Sequence, residues 1–118
     1  MNGSARPIRP ISWIKSARRA FDQFPEGARE AITDALSLAA EGSKSDIAKP
    51  MKGLGSGVYE VSLPYRGNAF RLVYAVQLGD DLWVVHAFQK KSTQGIKTPA
   101  REIDTIKERL KLLKEFVR

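Results

Sequence analysis

The pattern of apolar positions in the first third of the chain predicts two short helices. Apolar residues recur at i, i+3, i+4 and i+7, first at Ala17, Ala20, Phe21 and Phe24, and then at Ala28, Ile32, Ala35, Leu36 and Ala39. Pro25 suits the first turn of the second helix, and Gly42 provides a C-terminal stop. We therefore expect a helical hairpin over residues 15–42.

The two ends of the chain are predicted to differ. Residues 1–7 are expected to be flexible and residues 8–14 to form a short edge strand, where Pro10 is tolerated. Near the other end, Thr98 can cap a helix that has Pro99 at its first position. The apolar residues of this helix recur at 3-4-3-4 spacing, at Ile103, Ile106, Leu110, Leu113 and Val117.

Between the helical segments the pattern is typical of strands. Three strand-like runs, 58–63, 69–78 and 82–89, are joined by Gly67-Asn68 and by Gly79-Asp80-Asp81. Both joints favour hairpins, because Gly, Asn and Asp accept positive φ. Residues 43–57 have the composition of a loop. The order βααβββα predicts one α+β domain over residues 1–118, with an antiparallel sheet.

The hairpin register decides which side chains share a face of this sheet. If Gly67-Asn68 and the second turn are two-residue loops, one face carries polar residues among aliphatic ones: Glu60, Ser62, Arg71, Val73, Ala75, Val84, His86, Phe88 and Lys90. The opposite face is almost wholly apolar and is expected to pack against helices: Tyr59, Val61, Leu63, Phe70, Leu72, Tyr74, Val76, Trp83 and Val85. A three-residue second turn would flip the last strand, so the polar face is a candidate site only with a two-residue turn.

The charge balance adds a partner to this picture. The chain has 118 residues, with 20 Lys+Arg against 13 Asp+Glu, and a formal net charge of +7. Such a surplus favours an anionic partner, with nucleic acid as the first candidate. The N-terminus lacks the apolar core of a signal peptide, and no run is long enough to span a membrane. We therefore expect a cytoplasmic protein with no membrane partner.

The composition also excludes several kinds of site. There is no cysteine, and His86 is the single histidine, so disulfides, thiolate metal sites and a self-contained Ser/His/Asp triad are not expected. Metal-ligand spacings and paired glycosidase-type acids are missing as well. We expect neither a metal nor a cofactor. A nuclease with this composition would need metal-independent chemistry.

Two polar residues within apolar strands have both a structural and a catalytic interpretation. Arg71 could form a structural ion pair with Glu60, or its guanidinium could clamp a phosphate. His86 could be a hydrogen-bonded core residue or could transfer a proton. Attack by a ribose 2′-hydroxyl needs a proton acceptor, cations that stabilise the pentacoordinate phosphate, and an acid for the 5′ oxygen. Arginine and lysine can supply the cations, and His86 or a lysine could move the proton.

Other basic residues lie at the ends of the predicted strands. Lys49 and Lys52 flank the glycine-rich segment 52–57, which lacks the Walker Lys-Ser/Thr and leads into a strand, so it is a flexible turn rather than a phosphate loop. Its lysines could still hold a phosphodiester. Lys90 and Lys91 form either a solvated pair or an RNA contact. The basic residues of the last helix are expected on its solvated face: Lys107, Arg109, Lys111 and Lys114.

Four segments resemble the RelE/HigB-type toxins of bacterial toxin–antitoxin systems, and their phage-derived HigB-like branch in particular. They are FPEGAREAITDAL (24–36), AKPMKGLGSGVYEV (48–61), FRLVYAV (70–76) and HAFQKKSTQGIKTPAREID (86–104). The resemblance extends over residues 10–115. It implies a RelE-like microbial RNase fold, whose helices cover one sheet face and whose other face holds the active site.

The resemblance also implies an activity and partners. The activity is ribosome-dependent mRNA cleavage, which inhibits translation. The partners are the ribosome, mRNA and a helix-turn-helix antitoxin, which can form a toxin–antitoxin hetero-oligomer on operator DNA. A ParE-like toxin that poisons a topoisomerase and a non-toxic RNA-binding protein are the alternatives.

Site residues follow from the same positions. Arg71 matches the family's strand arginine that contacts the scissile phosphate, and Lys52 matches a basic residue before the second strand. Lys90 and Lys91 match basic residues that close the last strand. The predicted catalytic residues are Arg71, His86, Lys90 and Lys91. The predicted RNA-binding residues are Lys49, Lys52, Arg66 and Gln89.

Overall fold

The computed structural model describes residues 8–91 and 97–117, so the expected flexibility of residues 1–7 lies outside the described residues. The elements are β1 (Ile11–Trp13), α1 (Lys15–Asp22), α2 (Glu26–Ala40), β2 (Ala48–Pro50), β3 (Val58–Tyr65), β4 (Asn68–Leu78), β5 (Asp81–Lys91) and α3 (Ala100–Phe116). The predicted α+β class is confirmed. None of the described helices is long and apolar enough to cross a bilayer.

The strands form one sheet in the order β1-β5-β4-β3-β2. Three of the four pairings are antiparallel, as expected, but β1 pairs parallel with β5 at one edge. At the other edge lies β2, within a segment that was expected to be a loop. This strand is only three residues long and ends at Pro50, which has no N–H to donate and therefore suits an edge. Its Ala48 is fully buried opposite Val61.

The first hairpin turn is Arg66-Gly67, one residue earlier than the predicted Gly67-Asn68, because Tyr65 pairs with Asn68. Both turn residues have positive φ, 52° for Arg66 and 82° for Gly67, which is the requirement of a type I′ turn. The Arg66 guanidinium lies over the Tyr65 ring, 5.3 Å from its centroid. The change moves each strand partner by two residues, so the predicted faces of β3 and β4 are preserved.

The second turn has two residues, since Leu78 pairs with Asp81. The register then shifts between Ala75 and Leu78 and shifts back between Val73 and Tyr74, where Val85 is an extra residue on β5. Beyond this bulge, Val73 pairs with His86 and the predicted register holds to the end of β5. Between the two shifts the predicted faces of Trp83, Val84 and Val85 are wrong, because each irregularity reverses the alternation.

The sheet packs against helices on both faces. On the hairpin face, α1 and α2 cover a core that includes Val61, Phe70, Leu72, Tyr74, Leu82 and Val84. On the other face, α3 covers Val58, Val73, Ala75 and Val85 with Ile106, Leu110 and Leu113. We call this second side the Arg71 face; its polar residues include Lys49, Glu60, Ser62, Arg71, His86 and Lys90. The implied arrangement with helices on one face only is therefore wrong, because α3 covers part of the Arg71 face.

The start of α3 also differs from the prediction. Pro99 is the N-cap residue, and no side chain caps the helix. The Thr98 hydroxyl, predicted to cap the helix, instead donates to Glu60 Oε2 at 2.9 Å. At its other end α3 contacts β5, where the rings of Phe116 and Trp83 lie 5.8 Å apart edge to face. The helix thus begins beside Arg71 and runs away from it across the sheet.

Candidate functional site

Arg71 lies at the centre of the Arg71 face, between Ser62 on β3 and Phe88 on β5. Its side chain is only 9% exposed, and its terminal nitrogen donates to Glu60 Oε1 at 3.2 Å. The same nitrogen lies 3.3 Å from the Thr98 hydroxyl oxygen, and that hydroxyl donates to the second Glu60 oxygen. The ion pair with Glu60 expected under the structural interpretation is therefore present.

The Glu60–Arg71–Thr98 contacts join three separate elements. Glu60 comes from β3, Arg71 from β4, and Thr98 from the segment before α3. Because Arg71 contacts both the Glu60 carboxylate and the Thr98 hydroxyl, rotation of the guanidinium would break its charge-assisted hydrogen bond to Glu60. A guanidinium fixed in this way is preorganised, so it could bind a phosphate without losing further conformational freedom.

His86 lies on the neighbouring strand and is held by two residues of α3. Its Nε2 lies 2.7 Å from Glu102 Oε1, and its Nδ1 lies 2.9 Å from a terminal nitrogen of Arg109. The same Arg109 nitrogen donates to the Val85 carbonyl oxygen at 3.0 Å. Since a guanidinium only donates, Nδ1 must accept and Nε2 must carry the proton that is donated to Glu102.

The environment of His86 favours this neutral tautomer. Burial, and then the positive charge of Arg109, lower the pKa of His86 below its ordinary value, against the opposing effect of Glu102. Burial also lowers the pKa of the Arg109 guanidinium. With both ring nitrogens engaged by α3, the imidazole joins β5 to the helix. This is the hydrogen-bonded core interpretation of the residue.

The partners of His86 were not identified from the sequence. Arg109 was expected on the solvated face of the last helix, and that prediction is wrong, because its guanidinium contacts His86 and Val85. Glu102 and Arg109 follow the spacing of the apolar stripe, with Ile106 between them and Leu113 after them. Charged residues at such positions point inwards and need a partner in the sheet. That spacing was the signal available in the sequence.

The two lysines at the end of β5 point in opposite directions. Lys90 pairs with Ala69 and alternates with Phe88, so it lies on the Arg71 face, where it is 2% exposed. Among the described residues, no carboxylate forms an ion pair with Lys90. Lys91 is exposed and, by strand alternation, points to the hairpin face.

The four predicted RNA-binding residues are spread around the sheet. Lys49 is exposed and pairs with Glu60, so it lies on the Arg71 face. Lys52 is exposed in the loop that follows β2. Gln89 pairs with Phe70 and points to the hairpin face, and Arg66 is at the tip of the first hairpin. The Arg71 face thus brings together four of the eight predicted site residues: Lys49, Arg71, His86 and Lys90.

A metal centre was not expected from the sequence. Within residues 8–91 and 97–117, no group of three His, Asp or Glu side chains could hold a metal ion. The described residues of the Arg71 face supply cations and hydrogen-bonding groups.

Comparison with known proteins gives a family and a fold. Residues 19–111 match the family described as "Phage derived protein Gp49-like (DUF891)". No curated protein shows significant sequence similarity to the chain. The fold is similar to that of a double arginine-to-alanine mutant of E. coli toxin RelE in the free state. That comparison has a TM-score of 0.64 and 16% identity, and covers 87% of this chain and 98% of the other.

A second structure supports the same fold. The isolated E. coli RelE toxin gives a TM-score of 0.56 with 18% identity, covering 85% of this chain and 97% of that chain. The RelE-like fold expected from the resemblance is therefore confirmed.

Proposed function

We propose that this chain is the toxin of a type II toxin–antitoxin system and cuts mRNA on the ribosome. The chain belongs to the phage-derived Gp49-like family (DUF891) and has a RelE-like fold. The observation that carries the proposal is the buried cation pair on the Arg71 face. Arg71 and Lys90 are diagonal neighbours on the paired strands β4 and β5. Arg71 pairs with Phe88, and Lys90 lies two residues further along β5, where it pairs with Ala69. Buried cations that face a sheet surface suit a phosphodiester.

In the proposed reaction the RNA supplies its own nucleophile. The 2′-oxygen bonds to the adjacent phosphorus as its proton passes to a water molecule, and the bond from phosphorus to the 5′-oxygen breaks. The products are a 2′,3′-cyclic phosphate and a 5′-hydroxyl. Arg71 stabilises the charge that develops on the phosphoryl oxygens, which is the largest contribution that a preorganised cation can make. DNA lacks the 2′-hydroxyl, so the reaction is selective for RNA.

His86 was predicted to be a catalytic residue, but the proposed reaction does not use it to transfer a proton. His86 is neutral and both its nitrogens are engaged by Glu102 and Arg109, which supports a positioning role for it. Lys90 is a buried ammonium on the same face, and we assign to it donation of the proton to the leaving 5′-oxygen. Lys49, at the exposed side of Glu60, contacts a flanking phosphate.

The proposed partners follow from the activity. The chain acts in the cytoplasm, where ribosomes and mRNA are found, and a helix-turn-helix antitoxin neutralises it. The two proteins form a hetero-oligomer that binds operator DNA through the antitoxin. Lys52, Arg66, Gln89 and Lys91, which lie away from Arg71, are proposed to contact RNA of the ribosome rather than the scissile bond.

The proposal is tested by inducing the gene alone and mapping RNA 5′ ends. The wild-type chain should stop growth and translation and produce new 5′ ends inside coding regions. Arg71→Ala should abolish both effects. Arg19→Ala is the matched control, because Arg19 is an exposed arginine on α1, on the opposite side of the sheet.

Two results would contradict the nuclease assignment. DNA damage without new RNA 5′ ends would support the ParE-like alternative. Undisturbed growth and translation at full wild-type expression would leave only a non-toxic RNA-binding protein.

A further inference from the structure

A groove on the same side of the sheet as Arg71, but formed by other residues, lies between the glycine-rich loop and the second half of α3. Its volume is about 520 Å³, and Gly53, Leu54 and Gly55 line one wall. The other wall belongs to α3, and its charged residues are Lys107, Lys111, Lys114 and Glu115. We call this feature the lysine groove.

The floor of the lysine groove is apolar and already buried. Leu54 is 8% exposed and Leu110 is 4% exposed, and both belong to the core between α3 and the sheet. The loop is therefore anchored to the helix by packing, and the groove is a preformed feature. Leu54 and Leu110, the two apolar residues of the lining, therefore offer a ligand little exposed side chain.

The cationic wall follows from the helical period. Lys107, Lys111 and Lys114 are spaced i, i+4 and i+7, so they form one stripe of about 10 Å along the helix. All three are exposed, and none forms an ion pair with a carboxylate among the described residues. Glu115 is the one acid in the lining, so the walls carry a net charge of +2 (three lysines and one glutamate).

The opposite wall exposes main chain. Gly53 and Gly55 have φ of 81° and 93°, and a Cβ built on either would meet no atom within 4 Å. At Gly57, by contrast, the Gln77 side chain would lie 2.7 Å from such a Cβ. The space beside the first two glycines is thus open, and a ligand can approach the backbone closely there.

Two further cations connect the groove to the Arg71 face. Lys49 pairs with Glu60, which binds Arg71, and Lys52 is exposed immediately before Gly53. Cations therefore continue from Arg71 along the β2 edge of the sheet into the lysine groove. A polymeric ligand with regularly spaced negative charges that is bound at Arg71 could extend along this path.

We propose that the lysine groove binds the sugar–phosphate backbone of the substrate RNA strand, next to the segment that Arg71 contacts. Its assignment to the substrate rests on the proposed function. An acidic amphipathic peptide fits less well, because its apolar side needs exposed apolar residues in the groove. The exposed apolar residues of α3 are Leu112 and Phe116, which do not line it, and Phe116 faces Trp83 on β5.

The test is fluorescence anisotropy with a labelled single-stranded 2′-O-methyl RNA, which cannot be cut through its 2′-oxygen, over a range of salt concentrations. Lys107→Gln/Lys111→Gln should weaken binding severalfold and reduce the slope of log affinity against log salt by about 1.4, or about 0.7 for each phosphate that is no longer neutralised. Lys15→Gln/Arg19→Gln is the matched control, since it removes two exposed cations from α1. It should bind like the wild type.

Lys107→Arg/Lys111→Arg should retain the wild-type affinity and slope, and thermal melts of all variants check that the fold is intact. An unchanged slope for the glutamine variant, or an equal weakening in the α1 control, would overturn the proposal. If the glutamine variant binds the oligonucleotide normally but loses ribosome binding, the groove would be assigned to ribosomal RNA. If it binds the oligonucleotide normally but loses poly-glutamate binding, the groove would be assigned to an acidic peptide. Either result would also overturn the proposal.

The outcome is separable from that of the nuclease proposal. If Arg71→Ala leaves growth arrest intact while the groove variant still loses RNA affinity, the nuclease proposal fails, and the groove remains an RNA-binding site without its assignment to a substrate strand. If Arg71→Ala abolishes toxicity while the groove variant binds RNA normally, the groove proposal alone fails.

Discussion

Arg71 and His86 lie on the same face of adjacent strands, yet their surroundings give them different charges. Arg71 is a cation that forms an ion pair with Glu60. His86 is placed between a carboxylate and a guanidinium, and its lowered pKa leaves it neutral at physiological pH. One residue can therefore offer positive charge to a phosphate, whereas the other has both hydrogen-bonding positions used within the protein. The two require different tests.

The Arg71–Glu60 pair should be strongly coupled in stability. Removing one partner of an ion pair with only 9% and 14% side-chain exposure leaves a charge without its counter-ion. Glu60→Gln should therefore lower the free energy of unfolding by about 2–3 kcal/mol. A double-mutant cycle with Arg71→Gln in urea should give a coupling of at least about 1 kcal/mol.

The control for that cycle is Arg18–Asp22, an exposed pair on α1 with 54% and 48% side-chain exposure. Its coupling should stay below about 0.5 kcal/mol, because solvent screens exposed pairs. Equal coupling in the two cycles would mean that Arg71 is held by something other than its charge.

The pH dependence of stability should identify the charge state of His86. Because burial lowers its pKa in the folded protein, the unfolded chain binds this proton more readily. The free energy of unfolding should therefore fall as the pH drops below about 6.5, the ordinary histidine value, by at most about 1.4 kcal/mol per pH unit. The fall from this residue ends once the pH is below the folded pKa.

His86→Gln is the matched variant, since its amide can donate to Glu102 and accept from Arg109 without titrating. Urea unfolding between about pH 5 and 8 should show a flatter profile for this variant than for the wild type. A wild-type stability that rises on acidification through this range would mean that the folded protein holds a charged imidazole, contrary to the tautomer derived from the structure.

At the scale of elements, α3 should be held to the sheet mainly by its apolar stripe. Ile106 is fully buried in the same apolar cluster as Val73 and Val85, so Ile106→Ala should cost about 2–5 kcal/mol in urea unfolding. Leu112 lies on the same helix but is 60% exposed, and Leu112→Ala should change stability by about 0.5 kcal/mol or less. Similar costs at the two positions would show that α3 does not dock as described.

The elements themselves were largely predictable, because helices and strands have different apolar periods. The faces of the strands were predictable only where the observed pairing differs from the predicted one by an even number of residues. The turn at Arg66-Gly67 moves every partner by two residues and so preserves the faces, whereas the extra residue Val85 reverses them locally. A bulge leaves no periodic signal, so the faces of Trp83 and Val84 could not be derived. The three-residue strand β2 is too short for any period to show.

The site was predictable where its residues lie within the sheet and unpredictable where a helix reaches it. Strand alternation alone placed Arg71, His86 and Lys90 on one face. Glu102 and Arg109 contact His86 from 16 and 23 residues away in sequence, across a segment whose path no local pattern describes. Thr98 was assigned to capping because Ser and Thr favour that role, but its hydroxyl donates a hydrogen bond to the Glu60 carboxylate instead.

At the scale of the whole molecule, the basic surplus is arranged around the sheet rather than collected in a tail. The Arg71 face and the lysine groove meet along the β2 edge, and Arg66 and Lys91 lie at the hairpin end of the same sheet. Under the proposed function, the cations of the Arg71 face and the lysine groove hold a strand of RNA. The same proposal assigns the alignment of the scissile bond to the ribosome.

The proposed function therefore predicts that the rate of mRNA cleavage depends strongly on the ribosome. Alignment of reacting groups can contribute several kcal/mol to a barrier, so mRNA in a translating ribosome should be cut at least about 100-fold faster than the same mRNA free in solution. Primer extension on both substrates measures this ratio. A 2′-deoxy nucleotide at the cut position should abolish cleavage on the ribosome without releasing the protein, since only the nucleophile is removed. Equal cutting of free mRNA would mean that the Arg71 face aligns RNA unaided, and cutting at the deoxy position would rule out attack by the 2′-oxygen.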